Sequence, residues 1–276
     1  LPFAHGEVKL KQRWHLGQEL AKSRYQQAIV LPNSWKSALI PFAARIPQRT
    51  GWRGEGRYGL LNDLRKLKPA ALPLMIQRFA ALAFPKGACL PNQLTRPHLK
   101  VNQTAVSSAR QKYRIVTDKK LLAICPGAEF GPSKQWPAAY YAEVARYFLA
   151  QGWQVGLFGS LKDQAITAQI QTLTKESCFD LAGQTSLAEA IDLLSTADLV
   201  LTNDSGLMHV AAALERPLVA LYGSTSPKFT PPLSAEAKIL KLKLDCQPCF
   251  KRTCPLGHHR CLRDLLPAQV IETLNH

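Results

Sequence analysis

The chain has 276 residues, 46% of them hydrophobic and 20% charged, which excludes a wholly disordered protein and allows one large domain or two modest ones. No apolar run approaches the roughly 20 residues that cross a bilayer, and the opening LPFAHGEVKLKQRW lacks the apolar stretch of a signal peptide. Net charge is +16, and its distribution is lopsided: residues 1–120 hold 22 Lys and Arg against 5 Asp and Glu, whereas residues 121–276 hold 13 against 14.

Taken in chain order, helical periodicity over 7–23 leads into a short apolar strand, Ala28–Leu31. Pro32-Asn33-Ser34 then ends the strand and caps a helix over Trp35–Phe42. Arg45, Arg49, Arg53 and Arg57 fall at helical spacing, but Pro47, Gly51, Gly54 and Gly56 predict a loop over 47–59. A helix follows at 72–84, a Pro-containing loop at 85–99 and a basic helix at about 102–114. The polar stretch 115–119 marks a boundary, giving domains 1–117 and 118–276.

The second part alternates more cleanly. Strands are predicted at Leu121–Cys125, Trp153–Phe158, Leu199–Leu201 and Pro217–Tyr222. Helices are predicted at Trp136–Gln151, Asp163–Leu173, Leu187–Ser195 and Gly206–Leu214. Strands alternating with helices through short glycine-containing turns predict a doubly wound parallel sheet, with ligands outside the carboxyl ends of its strands.

Three of those ends carry chemistry. In LVLTNDSGLMH (199–209) a strand runs into a helix that starts at Gly206, so backbone amides and the positive helix end face the strand ends, a ready phosphate site. His209 lies one turn into that helix, either facing the site or packed in the core. In CPGAEFGPSKQWP (125–137) Lys134 sits before the next helix, within reach of a phosphate. In FGSLKD (158–163) Asp163 is placed either to accept from a ribose diol or to cap its own helix. Neither G-x-x-x-x-G-K-[ST] nor G-x-G-x-x-G occurs, which argues against a triphosphate P-loop and a dinucleotide dehydrogenase.

PGAEFGPSKQWP, FGSLKD, LAGQTSL, TNDSGLMHVAAAL and RPLVALYGSTSP together resemble the lipopolysaccharide heptosyltransferases. NSWKSALIPFAARIPQRTGWRGEGRYGLLND narrows the likeness to the heptosyltransferase II branch. The resemblance implies a GT-B fold, two Rossmann-like α/β domains facing a cleft, the first binding the acceptor and the second ADP-heptose. It also implies an inverting glycosyltransferase at the cytoplasmic face of the inner membrane. Such an enzyme moves L-glycero-D-manno-heptose onto the first heptose of the inner core, with heptosyl-Kdo2-lipid A as acceptor and peripheral contact with the anionic membrane surface.

Carried over by position, Lys134 meets the diphosphate and heptose, Asp163 the ribose, Thr185 the adenine surroundings and Asp204 the heptose hydroxyls. Ser205 and Gly206 supply amides to the diphosphate, with His209 behind them. On this reading Lys134 and the helix end provide the charge that stabilises departing ADP, so no catalytic cofactor is expected. Lys36, Arg53 and Arg57 are the candidates for the carboxylates and phosphates of the acceptor.

The family's opening strand and its G-P-S-W-V-G-D-type loop, whose aspartate is the presumed general base, have no counterpart here, and the sequence starts at Leu1. The expectation is therefore a first domain incomplete at its N-terminus, with an exposed sheet edge, no base of its own and poor turnover.

Cys246-x2-Cys249-x4-Cys254-x6-Cys261, with His258 and His259 between, has the density of a structural zinc site, or of a redox-labile cluster. Reduced cysteines in a loop, or disulfides formed on purification, are the plainer readings. Two other classes stand beside the glycosyltransferase: a catalytically impaired fragment of one, and a basic protein binding nucleic acid or another polyanion. No nucleic-acid-binding module is recognisable, so nucleic acid is not the expected partner.

Overall fold

The computed structural model describes Phe3 and residues 7–276. The chain divides into two compact units, residues 1–94 and 95–276. The break precedes the boundary expected at 117/118, because the basic helix packs against elements later in the chain. Leu99 N–H donates to the Ala213 carbonyl at 2.8 Å, Tyr113 Oη donates to the Gln184 carbonyl at 2.8 Å, and Ala109 and Ile115 share a core with Leu193 and Leu194.

The first unit holds a parallel sheet in the order β1 (Gln27–Val30), β2 (Gln48–Trp52), β3 (Asp63–Arg65). Its helices are α1 (Leu10–Ala21), α2 (Trp35–Ala43) and α3 (Met75–Ala83). β1 is an edge strand with Ile29 exposed. α1 packs on α2 at Gly17, where a Cβ would stand 2.6 Å from the Ala43 Cβ and from the Ile40 carbonyl. β2 corrects the loop expected over 47–59. Its Gly51 breaks no strand: a side chain there would meet Leu61 Cδ1 at 2.8 Å, so the glycine admits close packing instead. The core of this unit is small, built on Val30, Ala38 and Leu61.

The second unit is larger. It begins with α4 (Gln103–Lys112) and continues with β4 (Leu121–Cys125), α5 (Ala138–Ala150), β5 (Gln154–Leu157), α6 (Gln164–Leu173), β6 (Phe179–Asp180) and α7 (Leu187–Leu194). Then come β7 (Leu199–Asn203), α8 (Gly206–Ala213), β8 (Leu218–Leu221), β9 (Ala237–Leu240), α9 (Arg260–Arg263) and α10 (Pro267–Asn275). All six strands are parallel, in the order β6-β5-β4-β7-β8-β9. This is the Rossmann order, which reverses between its first and fourth strands. β4 is buried along its whole length, as a strand covered by helices on both faces must be. One core holds Leu122, Ile124, Trp136, Tyr141 and Phe148; the other holds Leu121, Ala123, Leu193, Met208 and Tyr222. No helix among the described residues is long and apolar enough to cross a membrane.

Candidate functional site

The carboxyl ends of β4 and β7 meet where the strand order reverses, and there the side chains are tied together rather than merely adjacent. Tyr141 Oη donates to Asn203 Oδ1 at 2.5 Å, while Asn203 Nδ2 donates to the Pro126 carbonyl at 2.9 Å. Burial pushes the Tyr141 hydroxyl well above its ordinary range, which keeps it a neutral donor. This lock fixes the loop after β4 against the end of β7.

The next residue, Asp204, is 5% exposed. Its Oδ2 accepts from Lys134 Nζ at 2.6 Å and from Thr225 Oγ1 at 2.6 Å, and Lys134 Nζ also donates to the Asp204 carbonyl at 3.2 Å. Lys134 ends a 3-10 turn, Pro132–Lys134, and its ammonium lies 4.9 Å from the centre of the Phe130 ring. A buried carboxylate is sustained only by such partners.

α8 starts immediately after. Ser205 occupies its N-cap position without capping it: the side chain makes no bond to the first-turn amides, and its hydroxyl faces Thr202 Oγ1 at 3.3 Å. The amides of the first turn are therefore left for an incoming acceptor of hydrogen bonds. A Cβ at Gly206 would meet nothing within 4 Å, so the folded chain leaves open space before that amide. His209, one turn on, feels both charges of the pair. Desolvation holds its imidazole below the ordinary value and Lys134 adds to this, against the pull of Asp204.

Beside this helix end lies a cavity of about 520 Å3, whose lining includes Gly127, Phe158, Asp163, Thr185, Leu207 and Val210. Asp163 Oδ2 accepts from the Ser160 amide and hydroxyl, each at 2.8 Å, so the carboxylate caps its own turn. It also lines the cavity, wedged between glycines: a Cβ at Gly127 would stand 2.6 Å from its Cγ, and one at Gly159 2.8 Å from its Cβ. A hollow of about 600 Å3 opens elsewhere, lined by Lys120, Asp198, Pro217 and Glu236, which precede β4, β7, β8 and β9. That is the amino end of the sheet, away from the helix N-termini that bind anions.

Of the residues expected at the donor, Lys134, Asp204, Ser205, Gly206 and His209 thus gather at the strand switch, with Asp163 and Thr185 in the adjoining cavity. Thr225 escapes a reading of the sequence, because a hydroxyl after a strand carries no mark of its partner; only the TNDSG-to-GSTS pairing of neighbouring strand ends would have found it. In the first unit, Lys36 Nζ donates to the Glu7 carbonyl at 3.1 Å, and Arg53 is exposed 5.6 Å from the Tyr58 ring. Arg57 departs from expectation. It is fully buried, donating to the Pro32 carbonyl at 2.6 Å, to Asn33 Oδ1 at 3.2 Å and to the Trp52 carbonyl, and desolvation lowers its pKa. Its donors tie the segment at Pro32 and Asn33 to Trp52 and are not offered to solvent.

Cys246, Cys249, Cys254 and Cys261 do face one cavity, of about 20 Å3, together with His258 and His259. The zinc expectation finds no coordination sphere there: among the described residues no three His, Cys, Asp or Glu side chains form a group that could hold a metal ion, and all four thiols are free. Spacing brought the thiols to one cavity, Cys261 from within α9, without forming such a group. Backbone amides of residues 256–259 lower the Cys254 thiol, whereas burial and the three neighbouring thiols push Cys261 up to about 11.

A Rossmann-ordered sheet with an uncapped helix end, a lysine-aspartate pair and an adjoining cavity at its switch point is the arrangement in which doubly wound α/β proteins hold phosphorylated, nucleotide-like ligands. The chain belongs to glycosyltransferase family 9 (heptosyltransferase), whose sequence profile matches residues 13–260. It is 47% identical over 284 residues to lipopolysaccharide heptosyltransferase 2 of Escherichia coli K12, covering all of this chain and 82% of that one. It is 44% identical over 289 residues to lipooligosaccharide heptosyltransferase 2 of Haemophilus influenzae, with the same coverage. The solved structure of the E. coli ADP-heptose lps heptosyltransferase II superposes with a TM-score of 0.88 at 45% identity, over 97% of this chain and 80% of that one. With this family comes the GT-B class, and both units are Rossmann-like parallel α/β folds.

Proposed function

We propose that the chain transfers L-glycero-D-manno-heptose from ADP-heptose to the first heptose of the lipopolysaccharide inner core, with inversion at the transferred carbon. The observation that carries the donor half is the uncapped amino end of α8 beside the Lys134–Asp204 pair. The likeness to lipopolysaccharide heptosyltransferase 2 supports the identity of sugar and acceptor.

On this reading adenosine occupies the 520 Å3 cavity, with Asp163 toward the ribose and Thr185 near the base. The diphosphate meets the Ser205 and Gly206 amides and Lys134, and Asp204 receives heptose hydroxyls, with His209 behind them. An acceptor hydroxyl attacks the anomeric carbon; the bond from that carbon to the β-phosphate oxygen breaks, its electron pair leaves with ADP, and the proton of the hydroxyl passes to solvent water. Lys134 and the helix amides oppose the charge that grows on the departing phosphate, and positioned donors of this kind are each worth about 3 kcal/mol of barrier.

Lys36 and Arg53 are the proposed contacts for the anionic groups of heptosyl-Kdo2-lipid A. The work is placed at the cytoplasmic face of the inner membrane, in peripheral contact with its anionic surface. The test is incubation with ADP-heptose and heptosyl-Kdo2-lipid A, read by mass spectrometry. A product heavier by one heptosyl residue is expected, with ADP released in equal amount. Transfer from a uridine sugar nucleotide in preference to ADP-heptose would overturn the reading.

A further inference from the structure

At the strand switch Lys134 is not a free cation. It lies 2.6 Å from Asp204, and that pair is close to neutral, yet the proposed ligand brings a doubly charged diphosphate. Partial charges at one helix end offset only part of this. The cysteine-rich loop supplies a further cation. Arg252 is exposed, and its guanidinium carbon lies 5.5 Å from the centre of the Phe130 ring, the same ring that Lys134 approaches to 4.9 Å. Among the described residues, Arg252 has no carboxylate partner.

The backbone that presents Arg252 is fixed to the donor loop. The Arg252 carbonyl accepts from the Ser133 amide at 3.2 Å, and the Lys251 carbonyl accepts from Ser133 Oγ at 2.5 Å. Phe250 N–H donates to the Ser224 carbonyl at 2.8 Å, next to Thr225. Gly131 permits this contact twice over: its φ is +143°, and a Cβ there would stand 2.6 Å from the Arg252 carbonyl oxygen. The segment 250–252 is thus bound to both loops that hold Asp204, the one carrying Lys134 and the one carrying Thr225. An exposed arginine on a backbone anchored in this way, with its guanidinium beside the Phe130 ring and without a counter-ion, is suited to a phosphate, whose oxygens match its planar fork.

We propose that Arg252 is a second cation of the donor site and binds the β-phosphate of the sugar nucleotide, the phosphate to which the sugar is bonded. This rests on the ADP-heptose reading above, and the test separates the two. ADP and AMP are titrated calorimetrically into the full chain and into Arg252→Gln and Arg252→Lys, with thermal melting alongside. The wild-type chain binds ADP. Arg252→Gln weakens ADP about tenfold, the scale of one charge-assisted hydrogen bond, and leaves AMP within about twofold. Arg252→Lys falls between, and all three proteins melt together.

Equal losses for ADP and AMP would make Arg252 a brace of the loop and overturn the proposal. Unchanged ADP affinity would overturn it too, including the case in which only the acceptor requirement rises. A wild-type chain that binds neither nucleotide would remove the donor reading itself, and the proposal with it.

Discussion

The two units bury charge for opposite purposes. In the first, Arg13, Arg57 and Arg65 are each at most 6% exposed and spend their donors largely on backbone carbonyls. Arg13 reaches Val8, Arg57 reaches Pro32 and Trp52, and Arg65 reaches Ala81 and Phe84, with Asp63 alongside. In the second, the one charged side chain among the buried described residues is Asp204, and it sits at the strand switch. A small sheet whose core cluster centres on Val30, Ala38 and Leu61 is stitched by arginines, whereas a large sheet with two apolar cores holds a buried carboxylate at its strand switch. Net charge read from sequence therefore overstates the positive surface of the first unit, because part of it is internal.

Arg57→Leu strains this contrast most severely. It takes the Arg57 donors from the buried Trp52 carbonyl and from the Pro32 carbonyl, and the expected loss is about 3 kcal/mol in denaturant unfolding of the intact chain, with ADP affinity unchanged. A smaller effect is expected of Thr225→Val, which removes one of the two side-chain donors to Asp204. About 1 kcal/mol of stability should go, together with a several-fold loss of ADP affinity measured by calorimetry.

Gly206→Ala separates fold from ligand. Since a Cβ there touches nothing within 4 Å, melting should move by no more than about 0.5 kcal/mol equivalent, while ADP binding weakens because the methyl occupies the ligand's approach. The smallest effect concerns pH. The His209 imidazole is held below its ordinary 6.5, so on acidification the unfolded chain takes up a proton before the folded one does. Stability contributed by neutral His209 is present above about 6.5 and is lost as pH falls through the lowered folded value. His209→Gln should flatten that limb when melting temperatures at pH 8 and pH 5.5 are compared.

Much of the second unit is legible in the chain because its rules are local. Strand, glycine turn and helix follow within fifteen residues at Leu199–Ala213, and the direction of a helix end suffices to propose an anion site. The short strands β3 and β6 carry too few residues to show a period, and β9 and α10 take their places from packing. β2 is obscured by Gly51, which looks like a breaker and is in fact a close contact. Arg57 is misplaced for a related reason. Arginine in a glycine-rich stretch has the composition of a surface loop, and only the arrival of carbonyls from residues 25 and 5 positions away turns it inward. The cysteine spacing delivers a shared cavity but, among the described residues, not a coordination sphere, since spacing along the chain fixes neighbourhood and not the convergence of side chains.

The proposed donor diphosphate site at the β4–β7 switch of the second unit is tested most directly by calorimetric titration of ADP-heptose into the wild-type chain and into Lys134→Ala. Saturable binding by the wild type is expected, with a loss of about tenfold or more in the variant, as removal of a charged hydrogen-bonding partner requires. Identical affinities, or no binding of ADP-heptose by a folded wild-type chain, would contradict it.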